Sequence, residues 1–312
     1  MKQAYLIIAH GNYNQLERLV AYLDDEDTDI YIHINKLVDM PDMEAIKNKG
    51  KQSNVYFTER VNVVWGEYGI LEAMLVALRE ANKRYRYDYY HVLTGVDLPI
   101  KSKKSIKAFL ENNEYKNNSE GRYKTNYVYI DEFMLKSTRD RVSKYNILIK
   151  YWRNKRKIVS RIARGINKIW CIIQDAFRID RFKNCDFIIY KGAPWWSITN
   201  DFAEFILNNI TWIKDNFTYM TFGADEFAVQ TLIMNSDFKD SLWNVPDKTR
   251  NNMNFRLIDW KRGRPYTWRI EDFDELKGAE HLFARKFDDK VDKQIIDKIY
   301  SYLYQMEGNE NV

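Results

Sequence analysis

The chain carries few of the side chains that hold transition metals. Its four histidines, His10, His33, His91 and His281, form no H-x-x-x-H pair. Its two cysteines, Cys171 and Cys185, match neither a zinc spacing nor a disulfide framework. The pattern argues against a zinc enzyme and suits a reducing compartment. No G-x-G-x-x-G and no G-x-x-x-x-G-K-S/T follows a strand-like segment, which removes the usual dinucleotide and P-loop readings. What remains is the chemistry of carboxylates, cations and aromatic rings. Asp225 and Glu226 stand side by side at the start of a helix-like segment that runs through Met234. Acids there complement a helix N-terminus, and a carboxylate in such a place can serve as a general base where geometry allows. Trp195 and Trp196 form an aromatic pair that could stack on a sugar or fill a core.

These residues need a frame. Tyr5 to Ala9 is a continuous apolar run, the pattern of a parallel strand buried on both faces, and it ends in the loop His10-Gly11-Asn12. Leu16 to Leu23 has helical spacing. Ile30 to Ile34 predicts a second strand ending at Asn35-Lys36, and Val55 to Phe57 and Val61 to Val64 predict two short ones. Tyr68 to Asn82 predicts a helix, followed by a strand at Tyr89 to Leu93 and a break at Thr94-Gly95-Val96-Asp97-Leu98-Pro99. This rhythm gives an α/β fold with an open, Rossmann-like, mostly parallel sheet flanked by helices. Ligands of such sheets bind outside the carboxyl ends of the strands, so His10-Gly11, Asn35-Lys36, Trp65-Gly66 and Thr94 to Asp97 fall along one rim. Later segments predict a strand at Asp186 to Tyr190, a helix at Asp201 to Asn209 and an amphipathic C-terminal helix.

The 312 residues, 45% hydrophobic and 30% charged, have the composition of an ordinary globular protein with room for a sizeable core. The net charge of +5 is unevenly spread. Ile147 to Asn184 reads as long helix and carries eleven basic residues, among them Arg161, Arg164 and Lys168, against only Asp175 and Asp180. Ile158, Ile162, Ile166 and Ile169 recur at helical spacing, flanked by Trp152 and Trp170. Such a helix either lies on an anionic membrane surface or packs its apolar stripe on the domain. No recognised nucleic-acid module accompanies the charge, so nucleic acid is not an expected partner. No secretory leader is visible at the start of the sequence, and no run approaches the roughly 18 apolar residues of a span. The expected location is cytoplasmic, with peripheral contact at the inner face of the plasma membrane.

Ala4 to His10, Ile30 to Lys36, Val63-Val64-Trp65-Gly66, Tyr89 to Ser102, Gly192 to Thr199, Ala224-Asp225-Glu226, Arg256 to Trp260 and His281 to Asp288 follow one another in an order that spans nearly the whole chain. The ordered set resembles the core-2/I-branching β-1,6-N-acetylglucosaminyltransferase family, which also includes the peptide O-xylosyltransferases. Phe283-Ala284-Arg285-Lys286-Phe287 is its most distinctive piece. The resemblance implies a GT-A type fold, a UDP-sugar donor, inversion at the anomeric carbon and no divalent metal. Lacking an anchor and disulfides, the chain looks like a bacterial member acting on surface polysaccharide precursors, with a glycan or lipid-linked oligosaccharide as acceptor. It is read as one domain, with a nucleotide-binding half at 1–110, the basic helical insert at 140–184 and an acceptor and catalytic half at 185–312.

The family's base lies in a Pro-Asp-Glu-like motif at a helix start. Gly223-Ala224-Asp225-Glu226 occupies that place with Ala for Pro, which maps the base onto Glu226 and leaves Asp225 to orient the acceptor or the helix start. In place of a metal, the family grips the diphosphate with the Lys of Phe-Ala-x-Lys-Phe, here Lys286, and with an Arg upstream, for which Arg262 and Arg264 both qualify. Arg264, just before Pro265, is the choice. Nucleotide contacts are expected from Ala9, His10, Gly11, Asn35, Trp65 and Asp97, although the family usually has Asp where Asn35 stands. Trp195 and Trp196 are expected on the acceptor side. Two Asp-x-Asp strings, Asp27-Thr28-Asp29 and Asp272-Phe273-Asp274, are poorly placed for Mg²⁺, and after the central strand there is a single acid, Asp97. N-acetylglucosamine is the expected sugar, with xylose, glucuronic acid, galactose or galactofuranose as alternatives. A metal-dependent transferase of another family and a non-catalytic nucleotide- or carbohydrate-binding protein remain open.

Overall fold

Apolar runs buried on both faces set the central sheet. In a computed structural model, which describes residues 1–118, 121–131, 136–243 and 254–309, every residue of β1 (Gln3–Ala9), β2 (Thr28–Ile34) and β4 (Tyr89–Thr94) is buried. Helices cover both faces of such strands, so their sequences show no polar alternation. With β3 (Asn54–Phe57), β8 (Tyr127–Ile130) and β9 (Gly192–Thr199) they make a six-stranded sheet in the order β3-β2-β1-β4-β9-β8. β3, β2, β1 and β4 run parallel, with Tyr5 facing Ile30 on one side and His91 on the other. β9 and β8 run antiparallel at the far edge. The mostly parallel α/β sheet expected from the sequence is present.

Two apolar cores flank this sheet. The helix Gly69–Arg84 packs Leu71, Met74 and Leu78 with Phe202 and Phe227 on one face. Helices Tyr13–Leu23, Lys103–Asn112 and Lys293–Asn309 place Leu16, Leu19, Ile106, Ile295 and Ile299 in the other. A smaller sheet, β10-β11-β5, joins β5 (Asp97–Pro99) to β10 (Arg256–Ile258) and β11 (Phe283–Arg285). It brings the C-terminal third back to the end of β4. β6 (Tyr115–Asn118) and β7 (Gly121–Lys124) form a separate hairpin. Trp196, expected on the acceptor side, is 1% exposed and lies in the first core, which leaves no ring face for a sugar.

Three expected elements differ. Val61 to Val64 pairs with no strand. Side chains largely hold it instead: Val61 N–H donates to His33 Nε2 at 3.0 Å, and Val63 exchanges bonds with the Asn35 carboxamide at 3.0 and 2.9 Å, beside a backbone bond from Lys36 N–H to the Val61 carbonyl at 3.0 Å. β-branched residues at 61, 63 and 64 imitate a strand that these polar partners replace. His33 is fully buried, and burial pushes its pKa down to about 4, so it is a neutral acceptor in a structural bond. Asp186 to Tyr190 is irregular, and the antiparallel strand begins later, at Gly192.

The basic segment is not one helix. A short turn at Ile149–Tyr151 precedes a helix at Lys157–Ala176. That helix seats Ser160, Ala163, Asn167 and Gln174 on the body and leaves its isoleucines in solvent, the reverse of an apolar stripe packed on the domain. Asn167 Oδ1 accepts from Ile147 N–H at 2.7 Å, and Gln174 exchanges bonds with the Tyr145 backbone at 2.8 and 3.0 Å. Irregular backbone needs such partners once buried.

Asn35→Ala should remove two hydrogen bonds that join the loops after β2 and β3 and one within the loop after β2. Urea denaturation is expected to show about 1–3 kcal/mol less stability with an unchanged slope, since the half-buried N–H and C=O of Val63 lose their partner.

Candidate active site

The acidic pair sits on a backbone that only glycine allows. Gly223 has φ +78°, and its N–H donates to the carbonyl of Gly66 at 2.8 Å. A Cβ at Gly223 would lie 2.1 Å from Arg141 Nη2, and one at Gly66, whose φ is +82°, would lie 2.6 Å from the Phe222 ring. The chain then makes the turn Ala224–Glu226 and enters the helix Ala228–Met234. Arg141, on the helix Lys136–Ser143, stacks on Phe222 with 4.5 Å from guanidinium carbon to ring centre. It donates from Nη1 to Glu226 Oε2 at 2.9 Å. Lys191 Nζ stands 3.9 Å from the same oxygen and pairs with Asp131. The Glu226 side chain keeps 31% exposure, so an incoming hydroxyl can reach it.

Asp225 is the opposite case. It is buried, and burial, with the neighbouring Glu226 charge second, raises its pKa to about 7. Near neutral pH it exists in both protonation states, and its protonated form can donate a hydrogen bond.

A cationic cluster lies where β5 and β11 meet the end of β4. Asp97 is 1% exposed. It accepts from the Thr94 N–H at 2.7 Å and from Arg285 Nη1 at 3.1 Å. Burial still raises its pKa, though Arg285 opposes the shift. Expected as a nucleotide contact, Asp97 is a buried anchor for Arg285 instead. The Arg285 guanidinium also bonds Thr94 Oγ1 at 3.2 Å and lies 4.2 Å over the ring of Trp195. Below it Arg256 is buried against Ser197, Trp196 and Val92, and burial pushes its pKa down to about 9. β9 borders both groups, since Lys191 precedes it and Trp195 lies within it. Four residues of extended chain separate the two by roughly 13 Å.

The other candidates take varied positions. Ala9 ends β1 and accepts from the Asn35 N–H at 3.0 Å, and His10 and Gly11 follow on the rim. Partial burial and then the charge of Arg285 lower the His10 pKa. The Asn35 carboxamide is taken up by Val63 and Leu37. An open cavity of about 590 Å³ beside it is lined by Ile34, Thr58 and Arg60. Trp65 meets Phe222 edge-on at 5.3 Å and carries Arg153 at 3.7 Å on its face, which places it beside the acidic turn. Arg262 is bound to Asp259, Asp272 and Glu275, so its charge is locally neutralised. Arg264 and Lys286 have no side-chain ion pair or hydrogen bond among the described residues.

Neither Asp-x-Asp string lies on the rim. Asp29 bonds Asn54 and Tyr87 at the start of β2, Asp27 pairs with Lys107, and Asp272 is taken by Arg262. Among the described residues no group of three or more His, Cys, Asp or Glu could hold a metal ion.

Sequence reading passed over Arg141, Lys191 and Arg285. Arg285 lies inside the most distinctive run, one residue before Lys286. Arg141 is 85 residues from Glu226, and no local pattern announces that contact.

The sequence model of the core-2/I-branching enzyme family matches residues 3–277. Xylosyltransferase 2 of Canis lupus familiaris is 24% identical over 321 residues, covering 96% of this chain and 33% of that protein. Xylosyltransferase 1 of Rattus norvegicus is 24% identical over 335 residues, covering 96% and 35%. The chain thus spans about a third of the length of the curated relatives it matches. Apo mouse xyloside xylosyltransferase 1 aligns over 91% of this chain and 96% of its own at 10% identity, with a TM-score of 0.36, too low to add to the fold read from the strands.

Two outcomes follow from the acidic turn. Gly223→Ala should displace Arg141 and cost at least tenfold in turnover while thermal unfolding stays cooperative. Asp225, with a pKa raised from 3.8 to about 7, stabilises the fold fully below 3.8 and loses that contribution as pH rises through about 7. Relative to wild type, Asp225→Asn should therefore gain melting temperature between pH 4 and pH 7 and change little above that, read by differential scanning fluorimetry.

Proposed function

The chain belongs to the core-2/I-branching enzyme family, and from that premise we propose that it is an inverting, metal-independent glycosyltransferase with Glu226 as its base. The observation that carries this reading is the partly exposed Glu226 carboxylate, held by Arg141 on a turn that shares β9 with a group of cations. An acceptor hydroxyl attacks the anomeric carbon of a UDP-sugar from the face opposite the leaving group. Its proton passes to Glu226 as the new C–O bond forms, and the bond to the diphosphate oxygen breaks with both electrons. Base assistance of this kind contributes about 10²–10⁴-fold. UDP departs with added negative charge on its β-phosphate, and cations fixed in advance stabilise it without reorganisation.

Lys286 and Arg264 serve best as the diphosphate clamp, because neither is neutralised among the described residues, whereas Arg262 is spent on three carboxylates. Arg285, next to Lys286 in the chain, is held by Asp97 and contributes its charge only through that pair. The ends of β1 and β2, at Ala9 to Gly11 and beside Asn35, receive the nucleoside. Trp195 serves the acceptor side, and the buried Asp225 orients the turn that carries Glu226.

N-acetylglucosamine in β linkage is the donor sugar of this reading. Xylose is the second choice, favoured by the names of the relatives. The acceptor is a glycan hydroxyl on a lipid-linked oligosaccharide of bacterial surface polysaccharide assembly. Such a substrate would hold the enzyme peripherally on an anionic membrane, at its cytoplasmic face.

A panel of UDP-sugars assayed for binding and turnover in excess EDTA tests these points together. One donor should bind and turn over without metal, Glu226→Gln should lower kcat by about 10²–10⁴-fold at near-constant donor affinity, and Lys286→Ala should weaken donor binding instead. A requirement for Mn²⁺ would overturn the metal-free mechanism, and full activity in Glu226→Gln would overturn the base.

A further inference from the structure

The helix Lys157–Ala176 is amphipathic the wrong way round for a helix of a globular body. Its inner face is small and polar, through Ser160, Ala163, Asn167 and Gln174. Its outer face carries Ile158, Ile162, Ile166, Ile169, Ile172 and Phe177, with exposures such as 56% for Ile162, 61% for Ile169 and 75% for Phe177. The two tryptophans near the stripe do not belong to this face: Trp152 packs on Phe222 at 4.7 Å and Trp170 buries its Nε1. Soluble proteins rarely expose a contiguous apolar stripe of this length without a partner for it.

Charge identifies the partner. Lys157, Arg161, Arg164 and Lys168 recur at helical spacing along one border of the isoleucine face, and all four are exposed. Of the two acids in the segment, Asp175 is paired with Lys144 and Asp180 with Arg139. The segment from 147 to 184 thus holds eleven basic and two acidic residues in a chain of net charge +5, so the rest is net acidic. A second copy docked on this face would bring two basic strips together. An anionic surface with an apolar interior meets both halves of the pattern at once.

We propose that the Ile158–Phe177 face lies in the interfacial region of an anionic phospholipid bilayer and presents the Glu226 turn to it. The seat of the helix makes that presentation fixed. Asn167 donates to Asn146 Oδ1 at 3.2 Å, and Asn146 in turn bonds the backbone carbonyl of Arg141 at 2.9 Å and that of Met220 at 2.8 Å. Arg141 holds Glu226, and Met220 leads into the acidic turn. A membrane plane set by the helix therefore sets the orientation of the base, as a lipid-linked acceptor requires. In this respect the inference rests on the proposed function, but the surface itself does not.

Flotation of the whole chain with vesicles tests the surface without any assay of transfer. Wild type should float with vesicles containing phosphatidylglycerol, remain at the bottom with phosphatidylcholine alone, and release as salt is raised. Ile162→Gln/Ile169→Gln should cut the floated fraction at least tenfold with helical circular dichroism unchanged, and Arg161→Gln/Lys168→Gln should weaken flotation and flatten its salt dependence. Wild type that stays at the bottom with anionic vesicles would overturn the proposal, as would flotation that the glutamine variants retain. So would a lipid-free dimer in sedimentation that Ile162→Gln/Ile169→Gln dissociates, because the face would then belong to a second copy. Hydrolysis of the UDP-sugar is scored apart: a protein that floats but hydrolyses no donor keeps its membrane surface and loses the transferase reading.

Discussion

The hydrogen bond from Gly223 N–H to the carbonyl of Gly66 joins the acidic turn to the rim where the parallel strands end. Both residues have positive φ, and each lies so close to a neighbour that no side chain fits. Around this contact Phe222 meets Trp65 and Trp152 edge-on and carries Arg141 on its face, and Arg141 reaches Glu226. The position of the carboxylate is thus set by packed rings and backbone rather than by its own flexible side chain. Positioning of this sort is what a general base requires, since geometry precedes basicity.

The two acids of the turn are separated by environment. Asp225 is buried and its pKa is raised to about 7, while Glu226 is partly exposed with two cations at hand. Across β9 another acid, Asp97, is buried so that Arg285 can stand over Trp195. Asp97 thus fixes a cation, Arg285, whereas Glu226 is itself held by one, Arg141; in the proposed reaction Lys286 and Arg264, which pair with no carboxylate among the described residues, meet the departing diphosphate.

Much of this was legible in the chain. β1, β2 and β4 announce themselves because strands buried on both faces cannot alternate, and the acidic pair stands at a helix start as read. The errors share one cause, namely that local pattern does not know what lies across the fold. Val61 to Val64 imitates a strand, yet His33 and Asn35 take its backbone. Trp196 resembles its neighbour Trp195, but the pleat turns it into the core. The isoleucines of the insert have core-like spacing, and only the structure shows that Asn167 and Gln174 claim the inner face. Arg141 and Lys191 come from distant segments, and no spacing could have placed them at Glu226.

The proposed reaction is a single displacement at an anomeric carbon with Glu226 as its base. The stereochemistry of the product tests that claim most directly. A UDP-α-sugar should be converted to a β-linked product, read from the H1–H2 coupling by proton NMR before any equilibration. An α-linked product would contradict direct attack assisted by Glu226 and require a different mechanism for this site.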